Sequence, residues 1–332
     1  GGGSRRALRT LRRIRVPTTR RFRTAPIVAA LLMALPVFAE DAKVFTLTDP
    51  RGDDHGDGDL VYPKRDDLKP GDLDLLSLTA SRQSEGTWFE ATFSRPITPT
   101  GRRVIDAGGG TLDEIARSNF YTLNIDIYID TDRAPGSGLT YTLPGRKAEI
   151  DPSSAWEKAI CLTPRPLDAR QAVGRMIASY AWRDAKARGE KLNTTKKKEM
   201  LTDLNRDIDR LIFFPTRVRV LGSRIGFLVP LSFLGGWAKP EWSYVVAVSG
   251  ADVLQKIDLG NLFNVGAETP DSLFILGIAP GFTWSDRFGG GDEDNPNQSP
   301  LVDIVVPLGR KQEDVLKDKP VRLPGVVPRD VK

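Results

Sequence analysis

The sequence of 332 residues predicts a mainly β protein, an antiparallel β-sandwich interrupted by one helical hairpin. Short apolar or alternating segments recur along most of the chain, and turns rich in Gly, Pro, Asp and Ser separate them. Helical spacing of apolar residues stands out in one block, residues 165–212. Many short strands between turns favour a sandwich over a parallel sheet with crossover helices.

The first 39 residues have the layout of a secretory signal peptide. They hold nine Arg and no Asp or Glu, and an apolar run over residues 25–38 follows the basic part. Val37 and Ala39 supply small residues before a cleavage point at Glu40. The run is short for a bilayer span of about 20 residues, although an uncleaved anchor is the alternative. We expect a secreted or periplasmic protein, or one held at the cell surface. Residues 1–4 read as an artificial or truncated start and are set aside.

Composition excludes several functional classes once the leader is removed. The remaining chain has 39 basic and 43 acidic residues, a net charge of −4, so nothing indicates a nucleic-acid partner. A single cysteine, Cys161, excludes an internal disulfide framework and a Cys-rich metal site. It is predicted to be a small buried side chain. A single histidine, His55, excludes Ser-His-Asp catalysis unless His55 is itself the base.

The strands are predicted from apolar or alternating runs bounded by turn residues. In chain order they cover residues 44–48, 73–80, 87–94, 121–130, 155–162, 216–221, 225–231, 242–249, 273–276 and 302–306.

The strand over residues 123–130 alternates most clearly. Its apolar face is predicted to be core, and the opposite face carries Asn124, Asp126, Tyr128 and Asp130. That second face has two interpretations. It is plain solvent surface, or it is a carbohydrate-binding face with an aromatic ring between two carboxylates.

Residues 165–212 predict a helical hairpin inserted into the β-domain. Asp168 can cap the first helix, and Gly189 ends it. Thr194 or Thr195 begins the second helix. The hairpin is expected to cover one end of the sandwich, and docking of a protein partner is the alternative.

An acidic, glycine-rich loop follows the first strand. Gly52, Gly56 and Gly58 alternate with five carboxylates, those of Asp49, Asp53, Asp54, Asp57 and Asp59. Like charges this close repel one another unless a cation lies among them, and hard oxygen ligands on a flexible loop suit Ca²⁺. The alternative is a solvated acidic turn.

Several motifs in order along the chain resemble one family. They are Asp-Pro-Arg-Gly-Asp-Asp-His-Gly-Asp-Gly-Asp-Leu-Val-Tyr-Pro (49–63), Pro-Gly-Asp-Leu-Asp (70–74), Ile-Tyr-Ile-Asp (127–130), Leu-Pro-Gly-Arg (143–146), Trp-Glu-Lys-Ala-Ile (156–160), Val-Pro (229–230), Trp-Ser-Tyr (242–244) and Val-Asp (302–303). Together they resemble the C-terminal binding module of glucodextranase, a DOMON-like β-sandwich. The resemblance implies a sugar- or surface-binding module of secreted proteins, with calcium, and adds Asp303 to the metal ligands. Asp57 departs from the family, which usually has Pro there, and the helical hairpin is an insertion.

These observations predict an exported, non-catalytic module that binds carbohydrate or a cell-surface glycan. We expect a domain over residues 40–310 and an extended or disordered tail over 311–332. The carbohydrate-binding residues are predicted to be Asp126, Tyr128, Asp130 and Trp156, and the Ca²⁺ ligands Asp49, Asp53, Asp54, Asp57, Asp59 and Asp303.

Two other functions stay open at this point. The first is a haem-binding electron-transfer subunit of related fold. One histidine excludes bis-His ligation, and Met176 and Met200 are the methionines left after cleavage, so haem is not expected. A visible absorption spectrum would distinguish this function. The second is a purely structural envelope protein.

Overall fold

Two five-stranded sheets pack face to face in the computed structural model, which describes residues 42–105, 109–255, 273–282, 285–295 and 297–330. The strands are β1 (Ala42–Thr48), β2 (Leu75–Gln83), β3 (Gly86–Phe93), β4 (Leu123–Asp130), β5 (Glu149–Ile150), β6 (Lys158–Leu162), β7 (Ile212–Phe213), β8 (Val218–Leu221), β9 (Arg224–Pro230), β10 (Ser243–Gly250), β11 (Ile278–Pro280), β12 (Phe288–Gly291), β13 (Leu301–Ile304) and β14 (Arg322–Leu323). The helices are α1 (Leu112–Ile115), α2 (Pro166–Ala187), α3 (Thr194–Leu211), α4 (Leu231–Leu234) and α5 (Gln312–Lys317), with 3₁₀ turns at Pro152–Ser154 and Pro328–Asp330.

The first sheet has the order β1-β2-β3-β9-β8, and the second has the order β13-β10-β4-β6-β7. Neighbouring strands are antiparallel except for the β6–β7 pair. The predicted mainly β fold is therefore confirmed. Each predicted strand overlaps an observed one except 273–276, where the chain makes an isolated bridge through Ile275 before β11.

The main core lies between the two sheets. The apolar face of β4 is fully buried there, as predicted from its alternation. Across from it, Phe89 and Phe227 of the first sheet stack with their ring centroids 5.8 Å apart. Burial of these side chains supplies most of the stabilisation that a sandwich of this kind can gain.

A second core covers the other face of the second sheet. The helical hairpin, α2 and α3, contributes Ala169, Val173 and Ile208, which belong to the same cluster as Ala159 and Cys161 of β6. Cys161 is buried, as predicted. The hairpin therefore covers part of a sheet face, whereas the sequence predicted that it covers an end. Together with the C-terminal segment and other residues of the second core, it leaves β4 and β10 buried at every position.

The last segment of the chain corrects one prediction. Residues 311–330 are not an extended tail but fold onto the domain, because apolar residues anchor them: Val315, Leu316, Val321, Leu323 and Val326 are buried. β14 pairs with β5, and Val326 bridges to β10. The predicted signal peptide lies outside the described residues. Within them, no helix combines the length and the apolar character that a membrane crossing requires.

Candidate metal centre between the two sheets

Three carboxylates from two distant parts of the sequence meet beside the start of the acidic loop. Asp49 follows β1, Asp53 lies four residues later, and Asp303 lies within β13. Their nearest carboxylate oxygens all lie within 4.8 Å of one another. We call these three residues the acidic cluster. Asp49 and Asp53 were predicted from the loop, and Asp303 was added by the family motif.

The glycines of the loop explain how it reaches β13. Gly56 has φ of +59°, and an added Cβ would lie 2.9 Å from the carbonyl oxygen of Leu301. The backbone N–H of Gly56 donates to the carbonyl of Val302 at 2.8 Å. A side chain at this position would meet both strain and a backbone clash. The loop can therefore lie directly against the strand that carries Asp303.

A fourth carboxylate, Asp74, lies close enough to act electrostatically on the acidic cluster. It is 2% exposed, and Asp303 is fully buried. Within the described residues, five buried oxygens of these side chains have no hydrogen-bond donor: both of Asp49, Oδ1 of Asp53, Oδ1 of Asp74 and Oδ1 of Asp303. Sequence reasoning did not single out Asp74, although it closes the motif over residues 70–74 and directly precedes a strand.

Burial and mutual repulsion raise the pKa values of the acidic cluster. Burial, with the charges of Asp53 and Asp74, raises the pKa of Asp49 to about 8. Burial raises the pKa of Asp53 to about 6. Burial and the neighbouring Asp49 raise the pKa of Asp303 well above its ordinary value. Such groups need either protons or a cation.

The donor set fits a hard divalent cation. Carboxylate oxygens converge from the loop and from β13, and Ca²⁺ accepts oxygen ligands in irregular geometry. Asp49 also lines a surface cavity of about 270 Å³. These residues therefore fit the ion that the loop composition predicts.

The other three predicted ligands lie outside the acidic cluster. Asp54 accepts hydrogen bonds from the hydroxyl of Tyr62 and from the N–H of Gly71. Asp57 accepts one from the side-chain amide of Gln298 at 2.7 Å. Asp59 is exposed. Asp54 and Asp57 are thus held by hydrogen bonds to neighbouring residues. The structure brings three of the six predicted ligands together, and the prediction that all six converge is corrected.

The predicted carbohydrate-binding face on β4 is covered by protein. Asp126 pairs with Arg146 through two hydrogen bonds of 2.5 and 2.9 Å, and both side chains are buried. The hydroxyl of Tyr128 accepts from the N–H of Leu143 at 2.9 Å. Trp156 is fully buried. Neither a solvated face nor an open binding face is present here, because the second core fills the space.

Asp130, the fourth predicted carbohydrate residue, is 3% exposed and belongs to a second group of carboxylates with Asp132 and Glu157. Their oxygens already accept hydrogen bonds from the turn that follows β4. The donors are the N–H groups of Arg133 (2.6 Å), Ala134 (2.8 Å) and Thr131 (2.8 Å). The group is therefore a hydrogen-bonded turn, in contrast to the acidic cluster.

Comparison with known families gives one match. A family model, the C-terminal binding module, SLH-like, of glucodextranase, matches residues 44–322. The chain belongs to this family. The match includes the acidic cluster, Asp74 and every strand of the two main sheets except the first residues of β1. No curated protein sequence matches the chain. The glucodextranase module is described as a binding module and not as a catalytic domain.

Proposed function

We propose that this glucodextranase-type module is an exported, non-catalytic domain that binds carbohydrate or a cell-surface glycan, with a structural Ca²⁺ in the acidic cluster. Membership of a binding-module family carries the first part of the proposal. The leader-like N-terminus supports export, because its basic, apolar and small-residue regions follow in the required order.

The buried, unpartnered carboxylate oxygens support the calcium part. Asp49, Asp53 and Asp303, with Asp74 beside them, would hold the ion. When bound, Ca²⁺ supplies positive charge that offsets the repulsion among these groups. The chain's own residues place the ligands: the loop carries two, and the ends of strands in opposite sheets carry the others.

A glycan array tests the binding proposal. The full chain is applied in Ca²⁺ and again in EDTA. We expect one class of glycan to be retained in Ca²⁺, with weaker retention in EDTA because the fold is then less stable. Absence of binding to every glycan in both conditions would contradict the proposal. N-terminal sequencing of secreted protein tests export, with a start at Glu40 as the expected result.

The absence of catalysis has its own test. Dextran and starch are incubated with the purified chain, and reducing ends are measured. We expect no turnover, since the acidic cluster is enclosed by the fold and a paired acid and nucleophile must both reach the scissile bond. Turnover that disappears on changing one carboxylate would show that the module is an enzyme.

A further inference from the structure

The outer face of the first sheet remains partly open to solvent. Along β2 and β3, buried side chains alternate with partly exposed ones, whereas β4 and β10 of the second sheet are buried throughout. A ligand that binds a sheet face of this sandwich therefore meets the first sheet and not the predicted face on β4.

One aromatic side chain on this outer face lies across the sheet. Trp88 of β3 is partly exposed, and Gly226 of the neighbouring β9 lies beneath its indole ring. A Cβ added to Gly226 would lie 2.4 to 2.6 Å from three ring atoms, Cζ2, Cε2 and Nε1. Glycine at 226 is therefore what lets the ring rest against the backbone. The guanidinium of Arg219 lies over the ring, 5.3 Å from its centroid, so a sugar that stacks on the indole takes the place of this guanidinium.

Hydrogen-bonding groups surround the ring on the same face. Glu90 lies opposite Gly226 in the strand register and pairs with Arg224 at 3.2 Å, both on partly exposed side chains. Ser81 of β2 lies directly opposite Trp88. Farther along, the hydroxyls of Thr46 and Thr79 bond to each other at 3.1 Å. Five strands spaced by about 4.8 Å give the face a width of roughly 19 Å.

We propose that this outer face, centred on Trp88, is a binding platform for a polysaccharide chain of pyranose rings; this inference rests on the proposed carbohydrate-binding function. A pyranose ring has an apolar C–H face that packs on an indole ring and a rim of hydroxyls that needs donors and acceptors. Trp88 supplies the ring, and the Glu90–Arg224 pair and Ser81 supply polar partners. A face of this width suits a chain better than a single sugar.

Affinity electrophoresis of the full chain tests the platform. Gels contain dextran, starch or soluble peptidoglycan fragments, and each variant is compared with the wild type. We expect at least one of these polymers to retard the wild type, and Trp88→Ala to weaken that binding about tenfold, since stacking contributes roughly this much. Gly226→Ala keeps the indole but displaces it, and should weaken binding as well. Trp88→Phe should lie between wild type and Trp88→Ala.

Two matched controls remove other exposed aromatics. Trp237 is 39% exposed and its indole N–H donates to the carbonyl of Gln83 at 2.9 Å, and Tyr180 on α2 is 50% exposed. We expect Trp237→Ala and Tyr180→Ala to bind within about twofold of wild type. Wild-type binding by Trp88→Ala to a polymer that retards the wild type would overturn the platform and leave the proposed function standing. Failure of every polymer to retard the wild type would overturn the platform, and the glycan array would then decide the proposed function.

Protection of Trp88 from chemical oxidation is a second measurement, and it uses the wild-type protein alone. The wild type is oxidised with N-bromosuccinimide with and without the polymer that retards it, and each Trp is followed by peptide mass spectrometry. We expect the polymer to slow oxidation of Trp88 and to leave Trp237 unchanged. Equal oxidation of Trp88 in both conditions would overturn the platform.

Discussion

The side chain of Asp303 accepts a hydrogen bond from the backbone N–H of Leu75 at 2.6 Å, and this bond joins the two sheets. Asp303 lies in β13 at the edge of the second sheet, and Leu75 begins β2 of the first. The bond uses Oδ2, whereas Oδ1 is buried without a donor among the described residues. One carboxylate therefore connects the sheets and also offers an oxygen to the acidic cluster.

Calcium should stabilise the fold through this cluster. An ion that binds the folded state alone adds about 2.7 kcal/mol to the free energy of unfolding at a hundredfold excess over its Kd. We expect a thermal melt to fall in EDTA and to recover in Ca²⁺. Recovery in Mg²⁺ should be smaller, because Mg²⁺ demands near-octahedral geometry.

Asp303→Asn separates this effect from general destabilisation. The amide oxygen can still accept from Leu75, and the variant removes one repelling charge, so its melt in EDTA should equal or exceed that of wild type. Its response to Ca²⁺ should be lost. Asp59→Asn, an exposed change in the same loop, should keep the wild-type response. Identical wild-type melts in EDTA and Ca²⁺, with no metal by elemental analysis after loading, would mean that the cluster binds no calcium.

The parts of the site that sequence could predict are those with local signals. The glycine and Asp spacing of residues 49–59 marks the loop, and the alternation in β4 marks its core face. Burial of Asp126 and Tyr128 has no local signal, because it depends on Arg146 and on helices far along the chain. An alternating strand looks the same in sequence whether water or a second core covers its polar face.

The buried pair of Asp126 and Arg146 predicts a large cost for removing one partner. Asp126→Ala leaves a fully buried guanidinium without its carboxylate, so unfolding free energy should fall by about 3 to 5 kcal/mol in urea titrations. The double change Asp126→Leu with Arg146→Met should recover part of that loss. Asp203→Ala breaks the exposed pair with Arg206 and should cost less than about 1 kcal/mol. Equal costs for the two single variants would contradict this account.

Asp67 predicts a specific loss of stability in acid. Burial alone would raise its pKa, but hydrogen bonds from Arg65, Tyr121 and Arg103 outweigh burial and hold the pKa of Asp67 below its ordinary value. The folded state then binds this proton less readily than the unfolded state. The stabilisation is complete above the ordinary Asp pKa of about 3.9 and is lost as pH falls toward the folded value.

Urea unfolding of Asp67→Asn and wild type at several pH values tests the direction of this pH dependence of stability. We expect wild type to exceed the variant in stability at pH 6 and the difference to shrink steadily toward pH 2. Asp66→Asn changes a fully exposed neighbour and should follow wild type throughout. A difference between wild type and Asp67→Asn that does not depend on pH would show that Asp67 acts through shape and not through its charge.

Gln312 predicts that the C-terminal segment and the acidic loop depend on each other. Its side-chain N–H groups donate to the carbonyls of Asp53, Gly56 and Val302, and its carbonyl accepts from the N–H of Ile304 at 2.7 Å. Gln312→Ala removes these buried hydrogen bonds, so the unfolding free energy should fall by about 2 kcal/mol. The apparent Kd for Ca²⁺ should rise as well, because the loop that carries Asp53 is held less firmly.

Calorimetric Ca²⁺ titration and urea unfolding measure the two effects, with Asp314→Asn, an exposed change in α5, as the control. If Gln312→Ala lowers stability and leaves the Kd for Ca²⁺ unchanged, then α5 supports the sandwich without positioning the loop.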